Sequence, residues 1–457
     1  MLVRFVIDNI YSFGRRTEFN TLPGNLRTLP AHAYAQECGF KLLKLSVLYG
    51  ANAAGKSNLI NALAMFAEMA LNNLTADEVT RNKFKLERSE DSDEQLMAVE
   101  FIQNDVCFLY ATKVINGRIA VEELYLTGKK EDTLVYERTT DQNLVSRIKF
   151  STEFESNEKN MLLKEILLDE FVESDRPILH LLANRDNEQL GMVKTAYIWF
   201  AKTLAVLFPE SKPATFEQRL ETDKGFGNFV QEVVKSYHVG ISEVSTANTQ
   251  LDIFFGKTAE GKKIAGELRN AMEKNPTKIL RFEKPTNSSE RFLVVQEDDE
   301  IWIKVLELKH HTYSDKGVQF SLTEESDGTV KLLNLLPAIY DVIYNKHVYI
   351  IDEIERSIHP SLIKELIRKF SHDEKSMGQL IFTTHESVLL DQSIFRQDEI
   401  WFAEKDSGGC TDLYPLSKYK EHKTIDIRKG YLEGRYGAIP FLANLRDLKW
   451  HDNDPSQ

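Results

Sequence analysis

The sequence predicts an α/β fold: a mixed β-sheet with helices, an antiparallel β lobe and a mainly helical insertion. A glycine-rich loop at 50–57 lies between a β-prone run and an amphipathic helix. Far downstream, apolar β-branched runs at 347–351 and 379–383 each end in polar side chains, which is typical of buried parallel strands. Residues 98–126 alternate apolar and polar side chains around an Asn-Gly pair, which predicts antiparallel strands joined by a tight hairpin.

The first loop, in "SVLYGANAAGKSNLINAL", fits the phosphate-binding pattern G-x-x-x-x-G-K-[ST]. Its glycines allow a tight turn in which consecutive N–H groups face one anion, at the positive end of the following helix. Lys56 is predicted to reach the β- and γ-phosphates, and Ser57 to offer its hydroxyl to Mg²⁺. The predicted nucleotide-binding residues of this loop are Gly50, Asn52, Gly55, Lys56, Ser57 and Asn58.

Acidic residues and a histidine follow the two downstream strands. Asp352 is placed to hold Mg²⁺ and Glu353 to orient or deprotonate the attacking water. His385 follows the next strand, where it would sense the γ-phosphate. Because parallel strands bring their carboxyl ends to one edge of a sheet, we expect these residues to meet Lys56 there.

A fourth segment, "ESDGT", precedes a helix with apolar residues at helical spacing. Ser326 or Asp327 is read as an N-cap by default. A cap does not account for Gly328, and a cap beside a glycine also suits an external phosphate.

The bulk composition excludes several protein classes. The chain has 457 residues, 42% of them hydrophobic, which suits two domains. It has neither a long apolar run nor a signal-peptide pattern, so we expect no membrane span and a cytoplasmic location. Three scattered cysteines, Cys38, Cys107 and Cys410, predict neither a disulfide framework nor a zinc site. The net charge of −13 argues against a surface wholly devoted to nucleic acid.

In this order, the four segments resemble an ABC-type P-loop ATPase head of the SMC and recombination-repair kind. More narrowly, the chain is similar to the AAA-type, ABC-related ATPases of bacterial abortive-infection and antiphage systems. That family is related to the ATPases of overcoming-lysogenization-defect nucleases and of PARIS-type defence. The motifs that carry the resemblance are "IDNIYSFGRRTEFN", "LYGANAAGKSNLINAL", "ESDGTVKLLNLLPAIYD", "IIDEIERSIHPSLIKELI", "IFTTHESVLLD" and "YLEGRYGAIPFL".

The resemblance implies a homodimer or higher homo-oligomer in which ATP and Mg²⁺ are sandwiched between two heads. "ESDGT" stands where L-S-G-G-Q is usual, with Ser326 and Gly328 matching and capping the γ-phosphate of the opposite head. Glu325, Asp327 and Thr329 depart from that pattern. By the same resemblance, Arg356, Ser357 and His359 contact the opposite head. The glutamine that links the two lobes has three candidates, Gln103, Gln189 and Asn184.

The predicted segments are 1–145, the N-terminal part of the head; 146–280, the mainly helical insertion; and 281–457, the C-terminal part. Heptads do not persist in the insertion, so we expect no long coiled coil.

Tyr11 and Phe13 are either adenine contacts or core residues, and the His310-His311 doublet is read as solvent-facing or core.

The segment after His385 lacks the residues of a Toprim nuclease, so we expect the chain to have no nuclease site of its own. The turn Gly434-Arg435-Tyr436-Gly437 with Pro440 is either a docking motif or a packed terminus.

The resulting hypothesis is an ATPase that controls a separate effector, a Toprim-type nuclease or a toxin. An alternative is an SMC-like or recombination-repair ATPase acting directly on DNA. A transporter head is a third reading, disfavoured by the insertion and the unusual signature.

Overall fold

The structure is a computed structural model that describes residues 1–439, apart from 27, 87–91, 129–130, 214–215, 238–239, 276, 285–286, 298–299, 312–316 and 423. Side chains are also not described at 281, 283–284 and 287–291. Pro440, part of the predicted terminal turn, lies outside the described residues.

The strands of the described residues are, in chain order, β1 (Leu2–Asp8), β2 (Thr17–Asn20), β3 (Ala33–Ala35), β4 (Lys41–Leu43), β5 (Leu45–Tyr49), β6 (Gln95–Gln103), β7 (Val106–Ile115), β8 (Arg118–Leu126), β9 (Thr133–Thr140), β10 (Ser146–Phe150), β11 (Leu204–Leu207), β12 (Ile241–Gln250), β13 (Ile279–Lys284), β14 (Asn287–Glu297), β15 (Glu300–His310), β16 (Val318–Ser321), β17 (Val348–Ile351), β18 (Gln379–Thr383), β19 (Ile400–Lys405) and β20 (Thr411–Pro415).

The α-helices of the same residues are α1 (Lys56–Ala70), α2 (Ala76–Arg81), α3 (Thr152–Glu155), α4 (Glu158–Glu170), α5 (Leu179–Ala183), α6 (Gly191–Ile198), α7 (Phe216–Thr222), α8 (Lys224–Ser236), α9 (Leu251–Phe255), α10 (Ala259–Lys274), α11 (Asp327–Tyr344), α12 (Pro360–His372) and α13 (Ile427–Leu432). None is long and apolar enough to cross a bilayer, as far as the described residues go.

The chain divides into two compact units. Unit 1 comprises Met1–Phe208, Lys346–Ile354 and Ile367–Gln457, and unit 2 comprises Pro209–Asn345 and Glu355–Leu366.

The central sheet of unit 1 has the strand order β11-β17-β18-β5-β19-β20. The first five strands run parallel and β20 is antiparallel to β19. Every residue of β5 and β18 is buried. This burial explains why these strands are continuous apolar runs rather than alternating patterns.

A second sheet of unit 1, ordered β10-β9-β8-β7-β6-β1-β2, is the predicted antiparallel lobe. The hairpin between β7 and β8 turns at Asn116 and Gly117, with φ angles of 49° and 75°. Positive φ at both turn residues is what a two-residue hairpin favours. The predicted mixed α/β class with an antiparallel lobe is confirmed.

The predicted insertion, 146–280, does not form one body. Helices α3 to α6 pack on the core of unit 1, where Trp199 stacks on Phe101 with ring centroids 4.3 Å apart. Unit 2 begins at Pro209 and combines helices with a sheet ordered β12-β15-β14-β13, to which β16 adds beside β15. The periodicity of a helix shows that one face is buried, but not which element covers it.

The terminal turn is packed where the structure describes it. Tyr436 is buried, with its ring stacked 5.8 Å from that of Phe402. Gly437 has φ 68°, and a Cβ there would lie 2.6 Å from Glu404 Oε2. Close packing therefore accounts for the tyrosine and for the second glycine of this motif.

Candidate functional site

The phosphate-binding loop leaves the buried strand β5 and enters α1 at Lys56. Ala53 and Gly55 both have positive φ, 63° and 107°. A Cβ on Gly50 would lie 2.5 Å from the carbonyl oxygen of Ala403, so only glycine fits that close approach. The loop has the tight curvature that turns backbone N–H groups toward an anion.

The Lys56 ammonium is folded over this loop. Its Nζ donates hydrogen bonds to the carbonyl oxygens of Gly50, at 2.8 Å, and Ala51, at 3.2 Å. Asn52 is exposed and Ser57 is half-buried. The residues predicted to face the phosphates therefore lie in one loop and in the first turn of α1.

Asn58 lies differently from the other predicted loop residues. Its side-chain amide donates to Ser12 Oγ at 2.8 Å, so the carboxamide supports the loop from the first strand–turn segment. The role predicted for Asn58 as a nucleotide contact stays a prediction.

Ser12 and Thr411 form a support that the sequence did not suggest. The Thr411 hydroxyl lies 2.8 Å from Ser12 Oγ and 2.9 Å from the carbonyl oxygen of Ala54, and Thr411 N–H donates to Ser12 O at 2.7 Å. Thr411 also packs directly on Gly55. Because 399 positions separate Ser12 from Thr411, no local pattern could have revealed the pair.

Asp352 and Glu353 follow β17, as predicted. Asp352 is 5% exposed and accepts a hydrogen bond from the Thr383 hydroxyl at 2.5 Å. Glu353 is half-buried with φ 48°, and its N–H donates to the same hydroxyl oxygen at 2.8 Å. Like Ser12 and Thr411, Thr383 was missed by the sequence analysis.

His385 lies two residues after the end of β18 and is exposed. The Tyr49 hydroxyl donates to the carbonyl oxygen of Glu386 at 3.3 Å, which joins the end of β5 to the His385 segment.

Strand register brings these groups to one edge. In the parallel ladders, Ile351 pairs with Phe382, and Phe382 pairs with Val47. The segments that carry Lys56, Asp352, Glu353 and His385 therefore all leave the sheet at its carboxyl edge, where open α/β sheets bind ligands.

The donor set at this edge fits Mg²⁺. Asp352 supplies a carboxylate and Ser57 a hydroxyl, and hard oxygen donors of this kind are those that Mg²⁺ takes together with phosphate oxygens. The bond from Thr383 fixes the orientation of the Asp352 carboxylate.

The predicted signature turn lies in unit 2. Ser326 caps α11: its Oγ accepts from Thr329 N–H at 3.2 Å. A Cβ on Gly328 would lie 2.8 Å from the carbonyl oxygen of Ser357, which itself has φ 65°. Close contact between these two turns therefore explains the glycine without a phosphate. Phosphate binding by Ser326 and Gly328 stays a prediction.

Arg356 and His359, the other two residues predicted to contact the opposite head, are exposed. Arg356 donates to Glu210 Oε1 at 2.6 Å, and His359 Nδ1 accepts from Ser361 N–H at 3.2 Å. Glu325, which departs from the usual signature, is held by His310 with Nε2 2.5 Å from Oε1.

The three candidates for the lobe-linking glutamine all make bonds elsewhere. Gln103 accepts from the Thr203 hydroxyl at 3.0 Å, next to the amino end of β11 and thus at the edge opposite the site. Gln189 accepts from Asn160, and Asn184 donates to the His180 carbonyl oxygen at 2.9 Å.

The two aromatic residues near the start of the chain, Tyr11 and Phe13, lie in different environments. Phe13 is fully buried in the core of unit 1. Tyr11 is half-buried with φ 52°, and its hydroxyl approaches Met65 Sδ at 3.9 Å. Of the two alternatives, core packing therefore describes Phe13.

A protein-family model matches residues 45–391, from the strand before the phosphate-binding loop to beyond His385. The family is described as "AAA domain, putative AbiEii toxin, Type IV TA system". The chain belongs to this family. The predicted kinship with ABC-related AAA proteins of defence systems is thereby confirmed.

Solved structures similar to this AAA-family chain include Smc head domains. One is the Smc head bound to the C-winged helix domain of ScpA, with 13% identity, a TM-score of 0.40 and coverage of 92% of this chain and 99% of that chain. Another is the SMC head domain from Thermotoga maritima, with 11% identity, a TM-score of 0.34 and coverage of 91% and 98%.

A third is the Pyrococcus furiosus Smc head with an extended coiled coil, bound to the C-terminal domain of ScpA, with 13% identity, a TM-score of 0.40 and coverage of 95% and 99%. No curated protein matches the chain.

Proposed function

We propose that this chain is the ATP-binding and hydrolysing subunit of a bacterial antiphage system of the abortive-infection type. The observation that carries the proposal is the arrival of the Lys56 loop, Asp352, Glu353 and His385 at one edge of the central sheet. A loop of this kind binds a nucleoside triphosphate, and the acidic and histidine groups beside it are those that hydrolysis requires.

Each residue has a separate task in this proposal. The loop N–H groups and the Lys56 ammonium bind the phosphates, while Ser57 and Asp352 hold Mg²⁺. When bound there, Mg²⁺ neutralises charge on the phosphate oxygens. Glu353 orients or deprotonates the attacking water, and His385 contacts the γ-phosphate.

The nucleotide is sandwiched between two copies of the chain. Ser326 and Gly328 of one copy, at the N-terminus of α11, cap the γ-phosphate held by the other, where backbone N–H groups favour an anion. ATP then stabilises the oligomer in proportion to its preference for that state, and hydrolysis releases it.

The destructive chemistry belongs to a separate effector in the cytoplasm, a Toprim-type nuclease or a toxin. The family description, which names a putative toxin and a toxin–antitoxin system, supports a place in such a system. The nucleotide state of the heads is the signal that holds or releases this partner.

The deciding experiment is Glu353→Gln, which keeps the size of the side chain but removes its carboxylate. We expect hydrolysis to fall and an ATP-bound oligomer to accumulate, measured by phosphate release and by light scattering after gel filtration. Lys56→Ala is the control: it should bind no ATP and form no such oligomer. A Glu353→Gln variant that hydrolyses ATP like the parent and never oligomerises further would contradict the assignment of the base.

The same assay distinguishes the alternative in which the ATPase acts directly on DNA. Adding double-stranded DNA should leave the hydrolysis rate unchanged if the proposal is right. Stimulation that falls steeply with salt would favour the alternative, because phosphate contacts release counterions.

A further inference from the structure

The hydroxyl of Thr383 lies between the two acidic residues of the candidate site. Thr383 is the last residue of β18 and is fully buried. Its Oγ1 donates to Asp352 Oδ1 at 2.5 Å and accepts from Glu353 N–H at 2.8 Å. One hydroxyl can make both bonds, because it has one proton and two lone pairs.

The backbone of Glu353 depends on these contacts. Its φ of 48° lies in the left-handed region, which costs a non-glycine residue about 1–2 kcal/mol. Backbone N–H bonds hold the residue on both sides: Asp352 N–H donates to Leu207 O at 2.9 Å, and Ile354 N–H donates to Thr383 O at 3.2 Å. The bond from Glu353 N–H to Thr383 completes this set, so the threonine sets the direction in which Glu353 leaves the strand.

The carboxylate of Asp352 depends on the same side chain. Asp352 is buried, and a hydroxyl that donates to one carboxylate oxygen fixes the plane of the group and hence the direction of the other oxygen. Partners of this kind orient metal-binding carboxylates and affect the metal affinity.

We propose that Thr383 is a positioning residue that sets Asp352 and Glu353 together, so that the metal-binding carboxylate and the water-orienting carboxylate are aligned by one hydroxyl. This inference rests on the proposed ATP hydrolysis and deepens it. It assigns to Thr383, which bonds to both acidic residues, the alignment of the two carboxylates that the proposal gives to Mg²⁺ and to the attacking water.

The test compares three substitutions in the full chain. Thr383→Val removes the hydroxyl and nearly keeps the shape, and Thr383→Ser keeps the hydroxyl. Thr112→Val is the matched control: Thr112 is 1% exposed, and its hydroxyl has no hydrogen-bond partner among the described residues. The readouts are kcat and KM for ATP, the Mg²⁺ concentration that gives half the maximal rate, and the affinity for a fluorescent ATP analogue with Mg²⁺ or with EDTA.

We expect Thr383→Val to lower kcat and raise the half-saturating Mg²⁺ concentration, each by about 10- to 100-fold, the range for partners that orient metal ligands. The gain in nucleotide affinity that Mg²⁺ gives should shrink, while the affinity measured in EDTA stays at the parent value. Thr383→Ser should restore kcat and the Mg²⁺ dependence, and Thr112→Val should change neither.

The inference is overturned if Thr383→Val keeps the parent's kcat and Mg²⁺ dependence. This includes the case in which the substitution lowers only the midpoint of thermal unfolding. It is also overturned if affinity in EDTA falls as much as affinity in Mg²⁺, because the defect would then be a general loss of the fold. If the parent itself hydrolyses no ATP, the proposed function fails, and the Mg²⁺-dependent gain in affinity still decides the role of Thr383.

Discussion

Gly328 and Ser357 approach so closely that a Cβ on the glycine would lie 2.8 Å from the serine's carbonyl oxygen. The two residues belong to different turns of unit 2, one at the start of α11 and the other before α12. The turn predicted to cap a phosphate and the turn predicted to contact the opposite head are therefore in direct contact. A substitution that shifts the backbone of one turn should therefore also shift the other.

Replacement of Gly328 by alanine should destabilise the chain by about 1–3 kcal/mol, the range for overpacking, because the atom it meets is backbone. The midpoint of urea unfolding measures this loss. Gly266→Ala in α10 is the control, since a Cβ there meets nothing within 4 Å. That variant should gain about 0.5–1 kcal/mol, because alanine is the better helix former. Equal midpoints for Gly328→Ala and the parent would show that the contact is not a constraint.

Loss of the Thr411 hydroxyl should weaken nucleotide binding without touching the nucleotide. Thr411→Val removes the hydroxyl's bonds to Ala54 O and Ser12 Oγ, at a cost of about 1–2 kcal/mol, or roughly five- to thirtyfold in Kd. Ser12→Ala should act in the same direction. Because the two hydroxyls touch, the double variant should lose less than the sum of the single losses. If titration with a fluorescent nucleotide showed that the two losses of affinity simply add, the two hydroxyls would not support the loop together.

The buried His32–Glu399 pair should give stability a maximum in mildly acidic solution. His32 Nδ1 lies 2.9 Å from Glu399 Oε1. Burial raises the pKa of Glu399 well above 4.5, while burial and then the Lys44 ammonium lower the pKa of His32 from 6.5 to about 3. In mildly acidic solution, between pH 4.5 and 6.5, the folded pair therefore holds one proton.

The sign of the effect follows from counting protons. Below pH 4.5 the unfolded chain carries protons on both groups, so stability falls on acidification toward pH 3, where His32 is protonated in the folded state. Above pH 6.5 the unfolded chain carries neither, so stability falls as pH rises toward the raised pKa of Glu399. Each slope is at most about 1.4 kcal/mol per pH unit.

Glu399→Gln separates the two contributions. In the variant, stability should fall on acidification already below pH 6.5, because His32 still resists protonation and no carboxyl compensates for it. The decline above pH 6.5 should disappear. Unfolding by urea at several pH values, for the parent and the variant, gives the difference curve. If the free energy of unfolding declined equally above pH 6.5 in both proteins, the His32–Glu399 pair would not be the cause of that decline.

Arg219→Lys should destabilise unit 2 by about 1–3 kcal/mol, the range for hydrogen bonds to charged groups. Arg219 donates two bonds to Asp341, at 3.0 and 2.7 Å, and its guanidinium lies 4.7 Å from the ring centroid of Phe226. Lysine has neither the planar fork nor the stacking surface.

Arg147→Lys is the matched control for Arg219. Its side chain is 71% exposed, and it approaches Asp141 at 3.7 Å, so its substitution should change stability by less than about 0.5 kcal/mol. Similar unfolding midpoints for the two variants would show that the bidentate geometry at Arg219 contributes little.

The site was predictable where its signal is local. The loop from Gly50 to Ser57 needs glycines, a lysine and a hydroxyl at a fixed spacing, and that spacing is visible in any stretch of chain. The strand before Asp352 is an apolar run because three of its four residues are buried, and such a run is also visible in the local sequence.

The sequence by itself determined the mixed α/β class, the phosphate-binding loop and the strands that end in Asp352-Glu353 and before His385. Only the tertiary structure decided that Thr383 joins the two acidic residues, that Thr411 supports the loop, and that α3 to α6 pack on the core of unit 1. The physical reason is distance along the chain. Backbone periodicity and loop chemistry are properties of neighbouring residues, whereas the partner of a buried hydroxyl, or the surface that covers a helix face, is chosen when remote segments pack together.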